Sequence, residues 1–231
     1  MNKIEVKILD CNFNNIATFL AMLTQRGHLM TCMNDVTDLY DKVIDKKPSE
    51  TLMSLPHSTI RRMNYLTVAI SGLSTKAVSQ LRTHATRLTF LSTSTQYSAF
   101  NNREDNFVMP DVDLHTRIQI QNAYDVIDKL YNDLIEVGVD KDKAGYILPQ
   151  GLRKVLIVSG NLDAWQYVMS TRLCKRNTQE TRYIMQLIYN AIREEYGAEY
   201  LVGFLPKCAT GKCPEGKFSC GDAYENKIYT F

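Results

Sequence analysis

The chain of 231 residues lacks most of the signals that assign a function at sight. It has no continuous apolar run of the roughly 18 residues that a membrane span needs. Its first residues, Met1 to Lys7, hold no apolar signal-peptide core, so a cytoplasmic protein is expected. It has little excess charge. Against 27 Lys and Arg stand 25 Asp and Glu, a net of +2, which gives no strong phosphate-seeking field and excludes a basic nucleic-acid scaffold. No Gly-rich phosphate loop opens a helix, no Gly-x-Ser-x-Gly elbow occurs, and no two histidines stand at zinc-binding helical spacing. No metal ligand set is expected. Tryptophan occurs once.

What is present is the composition of an ordinary folded chain. Hydrophobic residues make up 45% and charged residues 23%, enough apolar surface to offset the ordering entropy. Six cysteines in a cytosolic chain read as thiols rather than a disulfide framework. Three of them, Cys208, Cys213 and Cys220, sit in a glycine-containing tail from Pro206 onward, without the Cys-x-x-Cys spacing of a zinc knuckle.

Alternation over Ile4 to Ile8 predicts a strand, and a helix is expected from about Asn15 to Gln25, ending at Gly27. Tyr65 to Ser71 predicts a buried strand that Gly72 breaks. Ser74 to about Leu88 predicts a helix. Its apolar stripe contains Ala77, Val78, Leu81, Ala85 and Leu88, and its polar stripe contains Gln80, Thr83, His84 and Arg87. That polar stripe offers hydrogen bonds and positive charge to an anion, or it is a solvated face. Thr89 to Ala99 reads as extended, with hydroxyls at Ser92 to Thr95 that suit either a phosphate or an ordinary strand. Arg103 to Asp113 reads as a loop.

The second half reads as helical. Ile120 to Leu134 follows a helical period up to Gly138, a short helix runs from near Asp140 to Pro149, and another covers Asn161 to about Leu173. Asn177 and Glu180 form a capping-box-like pair ahead of a helix that stops near Gly197. The order strand, helix, strand, helix, strand, then helices has no doubly wound alternation. An α+β fold is therefore expected, with a mixed sheet and a long helical second half, as a single domain over 1–231 with its tail at 206–231.

In their order these pieces resemble the flavin-dependent thymidylate synthases. The run His57 to Ser74, the helix start Gln80-Leu81-Arg82-Thr83-His84, and Thr89 to Tyr97 resemble successive family elements, the last being Ser-Phe-Ser-x-x-Ser-x-Arg-Tyr. Leu148-Pro149, Asn161, and Arg172 to Arg182 resemble the family's Leu-Pro, Asn-x-Arg, and Arg-x-Cys-x-x-Ala-Gln-x-Glu-Ile-Arg. The likeness spans about residues 55 to 221.

The resemblance implies a homotetramer with active sites between subunits, without nucleic acid or membrane partners, or a hetero-oligomer with a homologue. It implies a reaction in which FAD takes part in moving a one-carbon unit from methylenetetrahydrofolate to C5 of dUMP, with NADPH as reductant. A hydroxymethylation variant on dUMP or dCMP is the near alternative. A same-fold enzyme with another ligand, and a non-catalytic relative, are the others. It also implies roles: Arg172, Ser94 and Gln80 as catalytic residues; His57, His84, Arg87, Tyr97 and Asn161 toward the cofactor; Gln80, Ser94, Thr95, Gln96 and Arg172 toward a pyrimidine deoxynucleotide monophosphate. Thr83, Ala85, Gln96, Gly145 and Asp163 stand at family Arg positions, and Arg62-Met63 at its Glu-His. Arg61, Arg62, Arg82, Arg87 and Arg176 are nearby replacements.

Overall fold

The computed structural model describes residues 4–13, 16–100 and 105–225. The expected helix start at Asn15, the loop start at Arg103 and the end of the tail after Glu225 lie outside them. Four strands form one sheet in the order β1-β2-β4-β3: β1 (Glu5–Cys11), β2 (Tyr65–Ser74), β3 (Thr89–Ser92) and β4 (Arg153–Asn161). Every pairing is antiparallel, so the expected mixed sheet is corrected: each neighbour runs back along the last. β4 also interrupts the expected all-helical second half. Its Val155-Leu156-Ile157-Val158 run, rich in β-branched residues, suits a central strand.

Period-two alternation sets which face is dry. Leu66, Val68 and Ile70 of β2 and Leu156 of β4 are fully buried, with Val158 at 2% exposure. Two helices cover this face: α8 (Leu162–Arg172) and α9 (Gln179–Glu195), through Leu162, Trp165 and Met169, and through Ile184, Ile188 and Ile192. The Trp165 indole donates to the Leu66 carbonyl at 3.1 Å, which satisfies its buried N–H. Gly72 does not break β2. It takes φ +77°, where the register shifts between Ser71 and Leu73, and the strand resumes to Ser74.

The N-terminal half adds α1 (Ile16–Arg26), α2 (Met33–Val43), α3 (Glu50–Ser54), α4 (Thr59–Met63) and α5 (Thr75–Arg82). Helix α5 is shorter than the periodicity predicts. In a continuing helix the Gln80 carbonyl would accept the His84 N–H; instead Thr83 Oγ1 donates to it at 2.7 Å and Arg172 Nη2 at 3.3 Å. His84 N–H turns to the Leu81 carbonyl at 3.0 Å, and tight turns carry the chain to Leu88. Beyond β3, the expected extended run to Ala99 becomes a turn, with Ser98 N–H on the Ser94 carbonyl at 3.2 Å.

A smaller apolar cluster of Phe100, Phe107, Tyr131, Ala144 and Leu152 sits under α6 (Leu114–Glu136) and α7 (Lys141–Ala144). Of α6 only Tyr131 is buried; Leu114, Ile118, Val126 and Leu130 remain 72%, 52%, 67% and 46% exposed. The expected capping box also differs. Thr178 is the N-cap of α9, and the Glu180 carboxylate leaves the helix end to accept from Ser74 N and Oγ at 2.7 and 2.6 Å. No described helix is long and apolar enough to cross a membrane.

Candidate functional site

The termini of three helices meet at Arg172. It is the last residue of α8, half-buried, and its guanidinium is spread over four acceptors. Nε donates to His84 Nε2 at 2.8 Å, Nη1 to Asn177 Oδ1 at 2.8 Å, and Nη2 to Thr83 Oγ1 at 2.7 Å and the Gln80 carbonyl at 3.3 Å. A guanidinium has five N–H donors, so one on Nη1 is left uncommitted among the described residues. Asn177 is itself fixed, its Nδ2 donating to the Thr171 carbonyl at 2.8 Å.

Because His84 Nε2 accepts, its ring is neutral with the proton on Nδ1. Burial, then the charges of Arg172 and Arg87, hold the imidazole below its ordinary pKa. Burial also lowers Arg172, which stays charged. The His84 ring meets Tyr167 edge-on at 6.1 Å, and Arg87 lies over the Tyr167 ring at 3.9 Å. Gln80 joins through its side chain: Oε1 accepts from Thr178 and Thr181 Oγ1, each at 2.7 Å.

A second group lies along Ser92 to Gln96. Arg82 Nη2 donates to Ser92 Oγ at 2.8 Å, and buried Lys154 donates to the Thr93 carbonyl at 3.2 Å. Ser94 Oγ accepts from Gln96 N–H at 3.1 Å, which shapes the turn. Thr93 Oγ1 is buried without a hydrogen-bond partner among the described residues. A Cβ on Gly145 would touch Thr95 Cβ at 3.4 Å, so the Arg-free position packs against this loop.

The remaining expected residues are less central. Asn161 Oδ1 caps α8 by accepting from Ala164 N–H at 2.8 Å, beside Gly160, where an added Cβ would stand 3.5 Å from the Arg87 carbonyl. Tyr97 is 75% exposed, and His57 is exposed in the turn before α4 with no bond to the Arg172 group among the described residues. Arg61 is occupied by the Met53 and Leu55 carbonyls, and Asp163 pairs with Arg61 and Arg62 at 3.6 and 3.4 Å. Asp163 at a family Arg position therefore holds α4 to α8. Arg176 donates to the Phe218 carbonyl at 2.9 Å, tying down the tail. Arg61 and Arg176 are thus committed to main-chain carbonyls, whereas Arg82 lies on Ser92 and Arg87 over the Tyr167 ring.

Asn177, Thr178, Thr181 and Tyr167 are the site residues that periodicity does not single out. The usable signal is spacing: Thr178 and Thr181 stand three apart and share one face of the first turn of α9. The donor set fits an anionic nucleotide and a flavin nucleotide alike. Arg82, Arg87 and the orphaned Thr93 hydroxyl suit phosphates, and the Arg87–Tyr167 pair presents a flat, cationic surface to a ring. Among the described residues no group of His, Cys, Asp and Glu is arranged to hold a metal ion.

The chain is 28% identical over 199 residues to a flavin-dependent thymidylate synthase of Geobacter sulfurreducens, covering 84% of this chain and 80% of that one. It is 25% identical over 193 residues to a protein of the same name from Pyrococcus abyssi, covering 78% of each. The fold matches thymidylate synthase X of Helicobacter pylori, solved with FAD and dUMP, at a TM-score of 0.65 and 18% identity over 87% of this chain and 99% of that one. A UMP/dUMP methylase of Streptomyces cacaoi bound with 5-Br dUMP matches at 0.65 and 17% identity, covering 88% of this chain and 96% of that one. The family model described as thymidylate synthase complementing protein matches residues 14–196, and with most of its length inside that match the chain belongs to this family, that of the flavin-dependent thymidylate synthases.

Proposed function

We propose that this chain is a flavin-dependent enzyme that transfers a one-carbon unit from methylenetetrahydrofolate to C5 of dUMP, with NADPH as reductant. The observation that carries the reading is the Arg172 cluster, in which Gln80, Thr83 and His84 of the α5 end converge on one guanidinium from α8. Preorganised donors aimed at developing charge are the usual main source of rate enhancement. Here the uncommitted Nη1 proton of Arg172 meets a pyrimidine carbonyl and stabilises negative charge spreading into the ring. His84 and Asn177 keep the guanidinium in place, and a neutral His84 adds no competing charge.

Ser94, Thr95 and Gln96 form the turn that receives the nucleotide phosphate, with Arg82 and Arg87 as its cations. Ser94 positions the nucleotide; it has no general base beside it and is not a nucleophile in this reading. FAD, when bound, supplies the electrons for the reduction at the transferred carbon. Arg87, Tyr167, Tyr97, Asn161, His84 and His57 are the residues proposed to hold it. Assembly as a homotetramer, in the cytoplasm, is part of the proposal. The exposed apolar residues of α6, from Leu114 to Leu130, support it as surface suited to a second copy.

The test is a spectrum and an assay on purified protein. A yellow flavin spectrum, or its appearance on reconstitution with FAD, is expected together with tritium-release or labelled one-carbon transfer on dUMP. A colourless protein that FAD cannot reconstitute overturns the proposal in favour of a non-catalytic relative. Chromatography of the product separates methyl from hydroxymethyl.

A further inference from the structure

A cleft of about 380 Å³ opens along α6 and shares no residue with the Arg172 cluster or the Ser92 to Gln96 turn. Its charge is one-sided: Asp105, Asp125, Asp128 and Asp133 line it against one ammonium, that of Lys129. Arg153 offsets Asp105 at 3.1 Å, whereas Asp125 and Asp133 are exposed and form no ion pair among the described residues. Two amides in the same wall add to this. Asn106 is only 6% exposed, and its Nδ2 donates to Asp128 Oδ1 at 2.5 Å; Asn132 gives its Nδ2 to Asp128 Oδ2 at 3.4 Å. A carboxylate only accepts, so both amides are fixed, with nitrogen on Asp128 and oxygen free. Turning either over would set oxygen against oxygen. Each Oδ1 is buried with no donor among the described residues. The wall is itself pinned to the start of β4, since the Asn106 carbonyl accepts from Arg153 N–H and Val108 N–H donates to the Gly151 carbonyl, each at 2.8 Å. Gln121 also spends an Nε2 proton within the cleft, on Asp125 Oδ1 at 2.7 Å. Acceptors are therefore in excess, and a buried one costs stability until a donor reaches it.

The complement of such a wall is a group that only donates, as ammonium does. Phe107 and Tyr124, stacked at 4.5 Å, line the cleft as well and suit both methylenes and a cation. Asp125 and Asp133 stand eight residues apart, about 12 Å along α6. One ammonium cannot reach both; an alkyl chain carrying several can. We propose that this cleft binds a linear organic polyamine. Asp125 and Asp133 take separate ammonium groups, and Asp128 takes an N–H between them together with the Asn106 and Asn132 oxygens.

The test is calorimetric titration of the full chain with spermidine, n-butylamine and magnesium chloride at one fixed ionic strength. Spermidine is expected to bind at one site per chain, about tenfold or more tighter than the single ammonium or the metal, and to raise the melting temperature. D125N/D133N weakens it about tenfold or more, the loss of a charge-assisted bond, and abolishes the thermal shift. D38N/D41N removes the same charge from exposed positions on α2 and leaves the affinity within about twofold. Asn132→Leu removes one of the unpartnered acceptors at constant net charge and weakens spermidine about threefold or more. All substituted aspartates are exposed, so far-UV circular dichroism should be unchanged. Equal weakening in the two charge variants, or magnesium binding as tightly as spermidine, shows a diffuse acidic field and overturns the site. Wild type that does not bind spermidine, with D125N/D133N changing the sedimentation coefficient, assigns the cleft to contact between copies and overturns it too.

Discussion

Removing the Glu180 carboxylate tests how the site is held to the sheet. Glu180 is 8% exposed and Ser74 is 3% exposed, and the carboxylate receives both the backbone N–H and the hydroxyl of Ser74 at 2.7 and 2.6 Å. Ser74 Oγ in turn accepts from Ala77 N–H at 3.0 Å, so one carboxylate on α9 fixes the start of α5, six residues before Gln80. Hydrogen bonds to a charged group are worth about 1.5–3 kcal/mol each. Two give about 3–6 kcal/mol. Water from the adjoining cleft of about 320 Å³, which Ser74, Lys76, Asp111 and Tyr124 also line, recovers part of it. Glu180→Ala is therefore expected to cost about 3 kcal/mol. In a chain of this length about 1 kcal/mol moves the melting temperature by about 2–4 °C, so the fall is about 6–12 °C by calorimetry. Glu180→Gln keeps one acceptor and should lose about half as much. A loss below about 2 °C for Glu180→Ala would show that desolvation of the carboxylate cancels its bonds, and the reasoning would fail.

Three other outcomes are expected. His84 is held below its ordinary pKa when folded, so it binds a proton less readily than in the unfolded chain; its share of stability is whole above the ordinary value and is lost as pH falls from there through the lowered one. Melting temperatures between pH 7.5 and 5 should decline less steeply in His84→Gln, which keeps an acceptor for Arg172 but does not titrate; an unchanged slope counts against the assignment. At Gly151 an added Cβ would stand 2.1 Å from Tyr124 Oη, so Gly151→Ala should destabilise by about 1–3 kcal/mol in urea unfolding, and Tyr124→Phe should relieve part of that penalty in the double variant. Arg172→Ala should lower kcat about a hundredfold or more with the far-UV spectrum retained, and Arg172→Lys should not rescue it, because an ammonium cannot span the four acceptors. Residual activity within tenfold of wild type would remove Arg172 from the mechanism.

Two of the strands are legible from local pattern, and the second central strand is not. Alternation finds β1 and the apolar run finds β2, because both signals lie within a few residues. β4 escapes because a short apolar run bounded by Gly151 and Gly160 has no periodicity to separate strand from helix. The stop of α5 at Arg82 escapes for another reason. The groups that take the Gln80 carbonyl away from the helix include a side chain 92 residues further on, Arg172. The same long-range contact explains the site. Gln80, His84 and Arg87 converge as the polar stripe suggests, yet through turns rather than along one helix face. Asn177, Thr178 and Thr181 gain meaning only once α9 is brought against α5.

The central strand pair also sets an order of events during synthesis. β2 finds its first partner in β1, already made, whereas its other edge waits for β4, paired from Tyr65↔Asn161 to Ser74↔Arg153. At a ribosomal pace of about 5–20 residues per second, the 78 residues between Ser74 and Arg153 take about 4–16 s to emerge. For that interval the edge of a strand carrying Leu66, Val68 and Ile70 has nothing to pair with. Closing so long a loop is slow, and its entropy is lost before any of these contacts form. Nascent chains stalled before Val155 are the species most exposed to misassembly, and the ones a chaperone has most reason to hold.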